Sequence, residues 1–245
     1  MSRKLLEKTR RLNKVLQNSG SDPVLFSDLC NVLGEILDCN VFIISRHGKM
    51  LGYKLSNKHK ECSIYNSMID KGRILNGFND QLLYIKETKA NECQDISNGI
   101  VTIVPIICSN NRLATLILER CNPSFTEYDL VIAEYGATIV GIEIMRAKAE
   151  EAENRARKKA MVQIAISSLS YSELEAMEHV LRELNGEEGL IIASKIADRV
   201  GITRSVIVNG LRKLESAGVI ESRSLGMKGT YIKIMNDELL CELNK

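Results

Sequence analysis

The sequence predicts an α+β protein in which an antiparallel sheet with helices is followed by a long connecting helix and a C-terminal winged helix-turn-helix. Three observations support this fold class. Apolar runs occur in pairs around short turns, no Gly or Pro lies between Gly141 and Gly186, and two short helical patterns flank Gly201 ahead of a hairpin pattern. We therefore divide the chain into an N-terminal domain (1–145), a helical linker (146–170) and a winged helix-turn-helix domain (171–245).

Paired β-branched runs predict two hairpins in the N-terminal domain. The first consists of 41-VFIIS-45, the turn 46-RHGK-49 and 50-MLGYKL-55, and the second of 100-IVTIVPII-107, the turn 109-SNN-111 and 112-RLATLILE-119. Pro105 has no amide hydrogen, so we expect it at a sheet edge or a bulge. Helices are predicted at 2–18 and about 25–38, whereas the mixed polarity of 56–99 supports no firm assignment.

A helix is predicted to begin at 124-SFTEYD-129, where Thr126 and Asp129 fit a capping box. The stretch 146–160 contains only Ala and charged residues apart from one Asn. Two pairs, Glu151 with Arg155 and Glu153 with Arg157, have the favourable i,i+4 order. We interpret this stretch as part of one partly exposed helix, about 139–170, that joins two domains. A solvated surface helix of a single domain is the alternative.

The segment 193–217 has the pattern of a helix-turn-helix. Ala197 is small where a second helix must cross, Gly201 suits a turn that needs a positive φ, and Thr203 is positioned to cap a second helix at 204–217. On that helix the apolar positions Ile207, Leu211 and Leu214 face one way. The opposite face carries short polar and basic side chains of the kind that bind base edges and phosphates in a major groove, namely Arg204, Ser205, Asn209, Arg212 and Lys213.

A hairpin pattern, 219-VIESR-223 and 230-TYIKI-234, follows the second helix, and its tip presents Lys228 beside Arg223. Charge is segregated along this region. Residues 190–235 hold eight basic and three acidic residues, a net charge of +5, whereas residues 171–189 hold six Glu and one Arg, a net charge of −5. A local basic stripe favours DNA binding, with a protein-binding winged helix as the alternative.

Composition argues against several other classes. The net charge is only +2, and no apolar run approaches the length that spans a bilayer. The basic face of the N-terminal helix is interpreted as a solvated surface rather than a membrane contact. Seven Cys without C-x-x-C spacing predict a reducing cytoplasm, no disulfide framework and no metal site. The three His are scattered and no nucleotide-loop or hydrolase motif occurs, so no catalytic residues are assigned and we expect no enzyme.

The segment 168–234, together with 44-ISRHGKMLGY-53, 102-TIVPI-106, 115-TLIL-118 and 129–151, closely resembles the CodY family of global transcriptional regulators. The resemblance covers nearly the whole chain and is patchy between about 54 and 100. It implies an N-terminal GAF domain that senses branched-chain amino acids, a response to GTP, and a cytoplasmic homodimer that binds double-stranded operator DNA, mainly as a repressor. It extends the DNA-contacting motif from Ala193, Ser194 and Lys195 to Arg212, and it makes Ser205 a candidate for phosphorylation. This chain has Gly210 where the family has Ala. A close contact with another helix would explain the glycine.

The resemblance also implies two effector sites. For GTP it suggests Ser45, Arg46, His47, Lys49, Glu143 and Lys148, with His47 at a position where Arg is usual; a solvated turn with helix ion pairs is the alternative. For isoleucine, leucine or valine the family clamps the ligand carboxylate with an Arg. Here Ser63 stands near that position, Arg73 is the nearest Arg, and the following loop is shorter. Ile64 and Met68 are candidates for the apolar lining or are ordinary core residues.

These observations lead to one main hypothesis and two rivals. The main hypothesis is a dimeric, effector-responsive DNA-binding regulator without a covalent cofactor. The first rival is a ligand-blind or differently liganded dimer whose GAF domain is only a scaffold. The second is an enzyme in the N-terminal domain. Occupancy of the effector pocket separates the first two, and a GTP hydrolysis assay detects the third.

Overall fold

The computed structural model describes residues 2–18, 25–59, 69–93, 99–184 and 186–243. Effector candidates Ser63, Ile64 and Met68 lie outside these ranges. The chain forms two compact units, Met1–Ala149 and Glu150–Lys245.

An antiparallel sheet of five strands organises the first unit, with the strand order β2-β1-β5-β4-β3. Both predicted hairpins are present and pair with each other through β1 and β5. The elements of this unit are α1 (Ser2–Asn18), α2 (Phe26–Leu37), β1 (Asn40–Ser45), β2 (Met50–Lys54), α3 (Asn76–Tyr84), β3 (Lys89–Cys93), β4 (Ile100–Cys108), β5 (Asn111–Arg120) and the start of α4 (Glu127–Ser167).

The two faces of the sheet bury separate apolar clusters. Residues of α1, α2 and α4, such as Leu12, Leu33 and Val140, are fully buried in the larger cluster with side chains from one face. On the other face, a smaller cluster contains Phe42, Ile44, Ile74, Leu82, Val101, Ile103 and Ile117. The alternation along β1 thus places successive residues in different clusters, as a strand buried on both faces requires.

The region between the hairpins contains α3 and β3, which the sequence did not predict. Arg112 holds the end of α3 because its guanidinium donates to the carbonyls of Ile85 at 2.6 Å and Leu82 at 3.2 Å. β3 pairs with β4 only as far as Ile103, so Pro105 lies beyond that pairing, and a bulge follows it between Ile106 and Ile107. The prediction of an edge or bulge position for Pro105 is confirmed.

The predicted capping box at the start of α4 is also confirmed. The amide of Thr126 donates to Asp129 Oδ2 at 3.1 Å, and the amide of Asp129 donates to Thr126 Oγ1 at 3.3 Å. Arg120 adds an ion pair to Asp129 at 3.1 Å, and its guanidinium also donates to the carbonyls of Leu37, Pro123 and Ser124. This buried arginine therefore fastens the end of β5 to the start of the long helix.

Helix α4 runs without interruption from Glu127 to Ser167, and the two compact units divide it after Ala149. One of the two predicted i,i+4 ion pairs forms, with Arg157 3.2 Å from Glu153. The other prediction is wrong, because Arg155 lies 2.8 Å from Glu238 of the C-terminal helix instead of pairing with Glu151. The i,i+4 spacing on a helix permits both ion pairs, but the tertiary contact with Glu238 engages Arg155.

The second unit has the element order of a winged helix. A three-stranded sheet with the order β6-β8-β7 shares one apolar core with the helices of this unit. Gly210 contacts α5 as expected, since a Cβ there would lie 2.9 Å from Met177 Cε. The elements after α4 are α5 (Tyr171–Leu184), β6 (Glu188–Ile191), α6 (Ala193–Val200), α7 (Arg204–Ser216), β7 (Ile220–Ser224), a 3₁₀ turn (Gly226–Lys228), β8 (Thr230–Ile234) and α8 (Glu238–Leu243).

The cysteines differ from the sequence prediction at one position. Cys121 is disulfide-bonded, so the prediction that no disulfide forms is wrong there. Cys30, Cys39, Cys93, Cys108 and Cys241 are free thiols. Within the described ranges, no helix combines the length and apolar character needed to cross a membrane.

Candidate nucleic-acid interface

Helix α7 presents two chemically different faces. Ile207, Leu211 and Leu214 are buried, with exposed fractions of 0%, 5% and 0%. The opposite face is exposed and carries Arg204, Ser205, Asn209 and Arg212. The periodicity of the sequence therefore assigned the inward and outward residues of this helix as the structure has them.

The first turn of α7 differs in one detail from the sequence prediction. Thr203 occupies the N-cap position, with an extended backbone at φ −88° and ψ 149°, but its side chain makes no capping bond to the helix. The hydroxyls of Thr203 and Ser205 share a hydrogen bond of 2.8 Å instead. Both hydroxyls are exposed, so this end of the helix presents a polar pair beside Arg204.

Helix α6 holds the turn that precedes α7. Gly201 ends α6 with a φ of 76°, as the sequence predicted for this turn. Ser194 and Lys195 are exposed in the first turn of α6, whereas Ala193 is buried at 7% exposure. Ala193 therefore packs inside the unit, and its neighbours supply the exposed side chains.

The wing between β7 and β8 exposes Arg223 and Lys228. Gly229 allows the wing to return beside β6, because a Cβ there would lie 2.4 Å from the carbonyl oxygen of Ile191. Its φ of 115° also favours glycine. Lys228 thus lies at a tip whose backbone path depends on glycine, and Arg223 lies on the adjoining end of β7.

Two members of the basic stripe are bound to the acidic helix α5. Lys213 Nζ lies 2.7 Å from Glu173, and Arg199 lies 2.7 Å from Glu183. The charge segregation seen in the sequence is thus partly neutralised by the fold. The exposed cations on α7 and the wing are Arg204, Arg212, Arg223 and Lys228.

The candidate nucleotide residues Ser45, Arg46, His47 and Lys49 form the turn between β1 and β2. The Lys49 amide donates to Ser45 Oγ at 3.0 Å, and Arg46 Nε donates to His47 Nε2 at 3.0 Å. Arg46, His47 and Lys49 are exposed. The turn therefore offers two cations and an imidazole to a phosphate chain.

The segment ahead of α3 and the start of α3 itself brace this turn. Arg73 donates to the carbonyl of His47 at 3.1 Å, and Asn79 donates to that of Arg46 at 3.1 Å. The amide of Ile74 also donates to the carbonyl of Gly48 at 2.9 Å. Arg73, which the sequence suggested for the amino-acid site, is thus placed at the nucleotide candidate turn. Asn79 was missed because no motif marks a buried asparagine and because the sequence of 56–99 supported no assignment of helix or strand.

Glu143 and Lys148 lie on α4. Ser45 at the end of β1 pairs with Ala114 of β5, and Ala114 pairs with Ile106 of β4, so these three residues lie side by side across the sheet. A Cβ on Gly141 would lie 3.3 Å from Ile106, so α4 crosses that end of the sheet just before Glu143. Glu143 is buried and lies 4.0 Å from Arg146, while Lys148 is exposed.

The face of the sheet that carries the smaller apolar cluster adjoins α3. Ile74, Leu82 and Ile103 are 8% exposed or less in this cluster. The segment 60–68, which contains three of the four effector candidates, lies outside the described residues. Within the described part of the chain, no group of three or more His, Cys, Asp or Glu is arranged to hold a metal ion.

The fold and the exposed helix face define a two-unit protein with an α+β domain and a winged helix-turn-helix. The model of the CodY GAF-like domain matches residues 4–168, and that of the CodY helix-turn-helix domain matches residues 187–245. The chain belongs to the CodY family.

Two relatives agree with this assignment. The chain is 57% identical over 253 residues to the global transcriptional regulator CodY of Clostridium tetani, and 56% identical over 253 residues to that of Clostridium acetobutylicum, covering 98% of each chain in both cases. Among solved structures, the cofactor binding GAF domain of the nutrient sensor CodY from Clostridium difficile is 37% identical, with a TM-score of 0.44; the match covers 57% of this chain and 96% of that one.

Proposed function

We propose that this chain is a DNA-binding global transcriptional regulator, mainly a repressor, that binds double-stranded operator DNA through α7 and the wing. The exposed face of α7, with Arg204, Ser205, Asn209 and Arg212 opposite a fully buried face, is the observation that carries the proposal. Arg and Asn can bond base edges, and the wing cations Arg223 and Lys228 can hold phosphates. Ser194, Lys195 and Thr203 border this face.

DNA binding responds to nutrient status in this proposal. The relatives are named global transcriptional regulators, and one related GAF domain is described as cofactor-binding in a nutrient sensor. Isoleucine, leucine or valine are the proposed effectors on the sheet face that contains Phe42 and Ile103. GTP is the proposed second effector, held by Arg46, Lys49 and the adjoining side chains of the turn. The protein acts in the cytoplasm as a homodimer without catalytic activity, and a GTP hydrolysis assay tests that last point.

Fluorescence anisotropy with labelled operator DNA at fixed salt tests the proposal. We expect Arg204→Glu to abolish the affinity, because it places a carboxylate against DNA phosphates. Lys14→Glu, which makes the same charge change on exposed α1, is the matched control and should bind normally. Unchanged affinity of Arg204→Glu would remove the assignment of α7 to the groove.

The same assay tests the effectors. A tenfold tightening of DNA binding by isoleucine or GTP, about 1.4 kcal/mol, would support an effector-responsive regulator. One observation favours the rival, ligand-blind regulator: Arg73, the nearest arginine to the family's carboxylate clamp, donates to the carbonyl of His47. Tight DNA binding that neither ligand changes would select that rival.

A further inference from the structure

The last turn of α7 carries Glu215, the one acidic residue of that helix. The other charged residues of α7 are Arg204, Arg212 and Lys213, and Glu215 is exposed near them. A carboxylate on a DNA-binding helix repels phosphates, so charge alone gives no reason for an acid at this position. The protein itself engages the carboxylate, because the amide of Ser222 donates to Glu215 Oε1 at 3.1 Å. This bond joins the end of α7 to the middle of β7.

The register of the hairpin explains why the Ser222 amide is available. β7 is an edge strand, with β8 on one side. Val219 and Leu225, which flank β7, both form backbone hydrogen bonds with the β8 side of the hairpin. Alternate residues of an antiparallel strand bond the neighbouring strand, so Ser222 directs its amide away from β8. Glu215 therefore binds an edge amide of the wing strand that the sheet leaves without a partner strand.

A tight reversal of the chain brings the two segments together. The amide of Gly218 donates to the carbonyl of Glu215 at 2.9 Å, and the amide of Val219 donates to that of Leu214 at 3.0 Å. Gly218 has a φ of 69°, which favours glycine. The chain thus turns back beside the last turn of α7, and the carboxylate of Glu215 fixes how the strand leaves that turn.

The contact lies one residue away from a wing cation. Arg223 follows Ser222 directly and is exposed. Across the hairpin, Arg223 pairs with Tyr231 of β8, whose hydroxyl donates to Glu188 of β6 at 2.7 Å. The base of the wing is therefore held on two sides, to α7 through Glu215 and to β6 through Glu188. Arg223 extends from the strand that these two contacts hold.

We propose that Glu215 is a positioning residue for DNA binding, because its carboxylate fixes the wing, and with it Arg223, relative to α7. Phosphate contacts set the orientation of a protein on a duplex. A wing that is already in place loses less conformational freedom when it binds. The inference rests on the proposed function, since it needs both α7 and the wing to contact operator DNA. It assigns the acid on α7 a geometric role that its charge would otherwise oppose.

Fluorescence anisotropy of the full chain with a labelled operator duplex, at several salt concentrations, is the test. Glu215→Ala removes a negative charge, so electrostatics alone predicts tighter binding. We expect binding to be roughly fivefold weaker instead. The slope of log affinity against log salt concentration should become shallower by roughly 1, as for the loss of one phosphate contact.

Two further variants separate position from charge. Glu215→Gln keeps an oxygen that accepts from the Ser222 amide, so it should bind at least as tightly as the wild type. Glu221→Ala removes an exposed acid from β7 itself and is the matched control, which should not weaken binding. Circular dichroism checks that each variant is folded.

Combination with Arg223→Ala tests the route of the effect. In that background Glu215→Ala should no longer weaken binding, because the cation that Glu215 positions is absent. Wild-type affinity of Glu215→Ala, equal weakening by Glu215→Gln, or undiminished weakening in the Arg223→Ala background would each overturn the inference while operator binding by the wild type stands. A wild type that does not bind the operator duplex would overturn the proposed function, and this inference with it.

Discussion

The ammonium of Lys213 lies 2.7 Å from the carboxylate of Glu173, which ties the recognition helix α7 to the first turn of α5. Lys213 also donates to the carbonyl of Ser168 at 3.0 Å, and Ser170 and Glu173 cap each other's amides. Lys213 was predicted as a DNA contact from its place next to Arg212. The contacts of Lys213 favour a structural role, whereas its neighbour Arg212 is exposed on the outward face of α7.

Neighbouring substitutions separate these two roles. Lys213→Met should lower the free energy of unfolding by about 1 kcal/mol and leave operator affinity at fixed salt nearly unchanged. Arg212→Met should leave the free energy of unfolding nearly unchanged and weaken operator binding by about 1–3 kcal/mol. Urea denaturation and fluorescence anisotropy measure the two effects. Equal loss of DNA affinity in both variants, with no loss of stability, would restore Lys213 to the DNA surface.

The Lys213–Glu173 contact also predicts a pH dependence. The hydrogen bond from Lys213, followed by that from the Ser170 amide, lowers the pKa of Glu173 below its ordinary value of 4.5. Because this pKa is lowered by folding, the ionised Glu173 carboxylate contributes its full stabilisation to the folded state above pH 4.5. This stabilisation is lost as the pH falls through the folded-state pKa. Glu173→Gln should therefore destabilise the second unit near neutral pH, and its difference from wild type should shrink in acid. Glu175→Gln, on the exposed side of α5, should show no such pattern.

The buried arginine at the end of β5 should resist conservative replacement. Arg120 has a 6% exposed side chain, pairs with Asp129 and donates to three carbonyls. Lysine cannot reproduce this fork of donors, so Arg120→Lys should cost about 3 kcal/mol. Arg11→Lys, in an exposed pair with Glu35, is the control and should cost little. A thermal or urea melt in which both variants match the wild type would refute this role of Arg120.

The hydroxyl pair at the start of α7 predicts an effect of negative charge. Ser205→Asp should leave the fold intact, since an acidic residue suits a helix N-terminus, and should weaken operator binding at least tenfold, about 1.4 kcal/mol, by repelling DNA phosphates. Ser205→Ala tests for loss of the Thr203 hydrogen bond and should have a small effect. Normal operator binding by Ser205→Asp would argue against phosphorylation of Ser205 as a control point.

The turn between β1 and β2 predicts where GTP binds. Arg46→Ala should abolish binding of labelled GTP in a titration to millimolar concentration, because a charge-assisted phosphate contact is lost. Lys71→Ala removes an exposed cation near Arg73 and is the control. Absence of binding to the wild type at that concentration would remove the GTP proposal altogether.

Local sequence signals predicted several features that the structure confirms. The Thr126–Asp129 capping box, the positive φ of Gly201 and the outward face of α7 each depend on residues within a few positions of one another. The wing and both hairpins likewise follow from short apolar runs around turns. Region 56–99 lacked such periodicity, so α3 and β3 were not predicted.

By itself, the sequence determined the element types outside 56–99, the buried and exposed faces of α7 and the family, because these depend on short-range periodicity and on motifs. Tertiary structure decided which charged side chains form contacts within the protein and which remain exposed for a ligand. It paired Arg155 with Glu238, Arg199 with Glu183 and Lys213 with Glu173, and it placed Arg73 at the turn that holds His47. The reason is physical: a charged side chain bonds the nearest complementary group in space, and for these four residues that group lies 16 to 83 positions away along the chain.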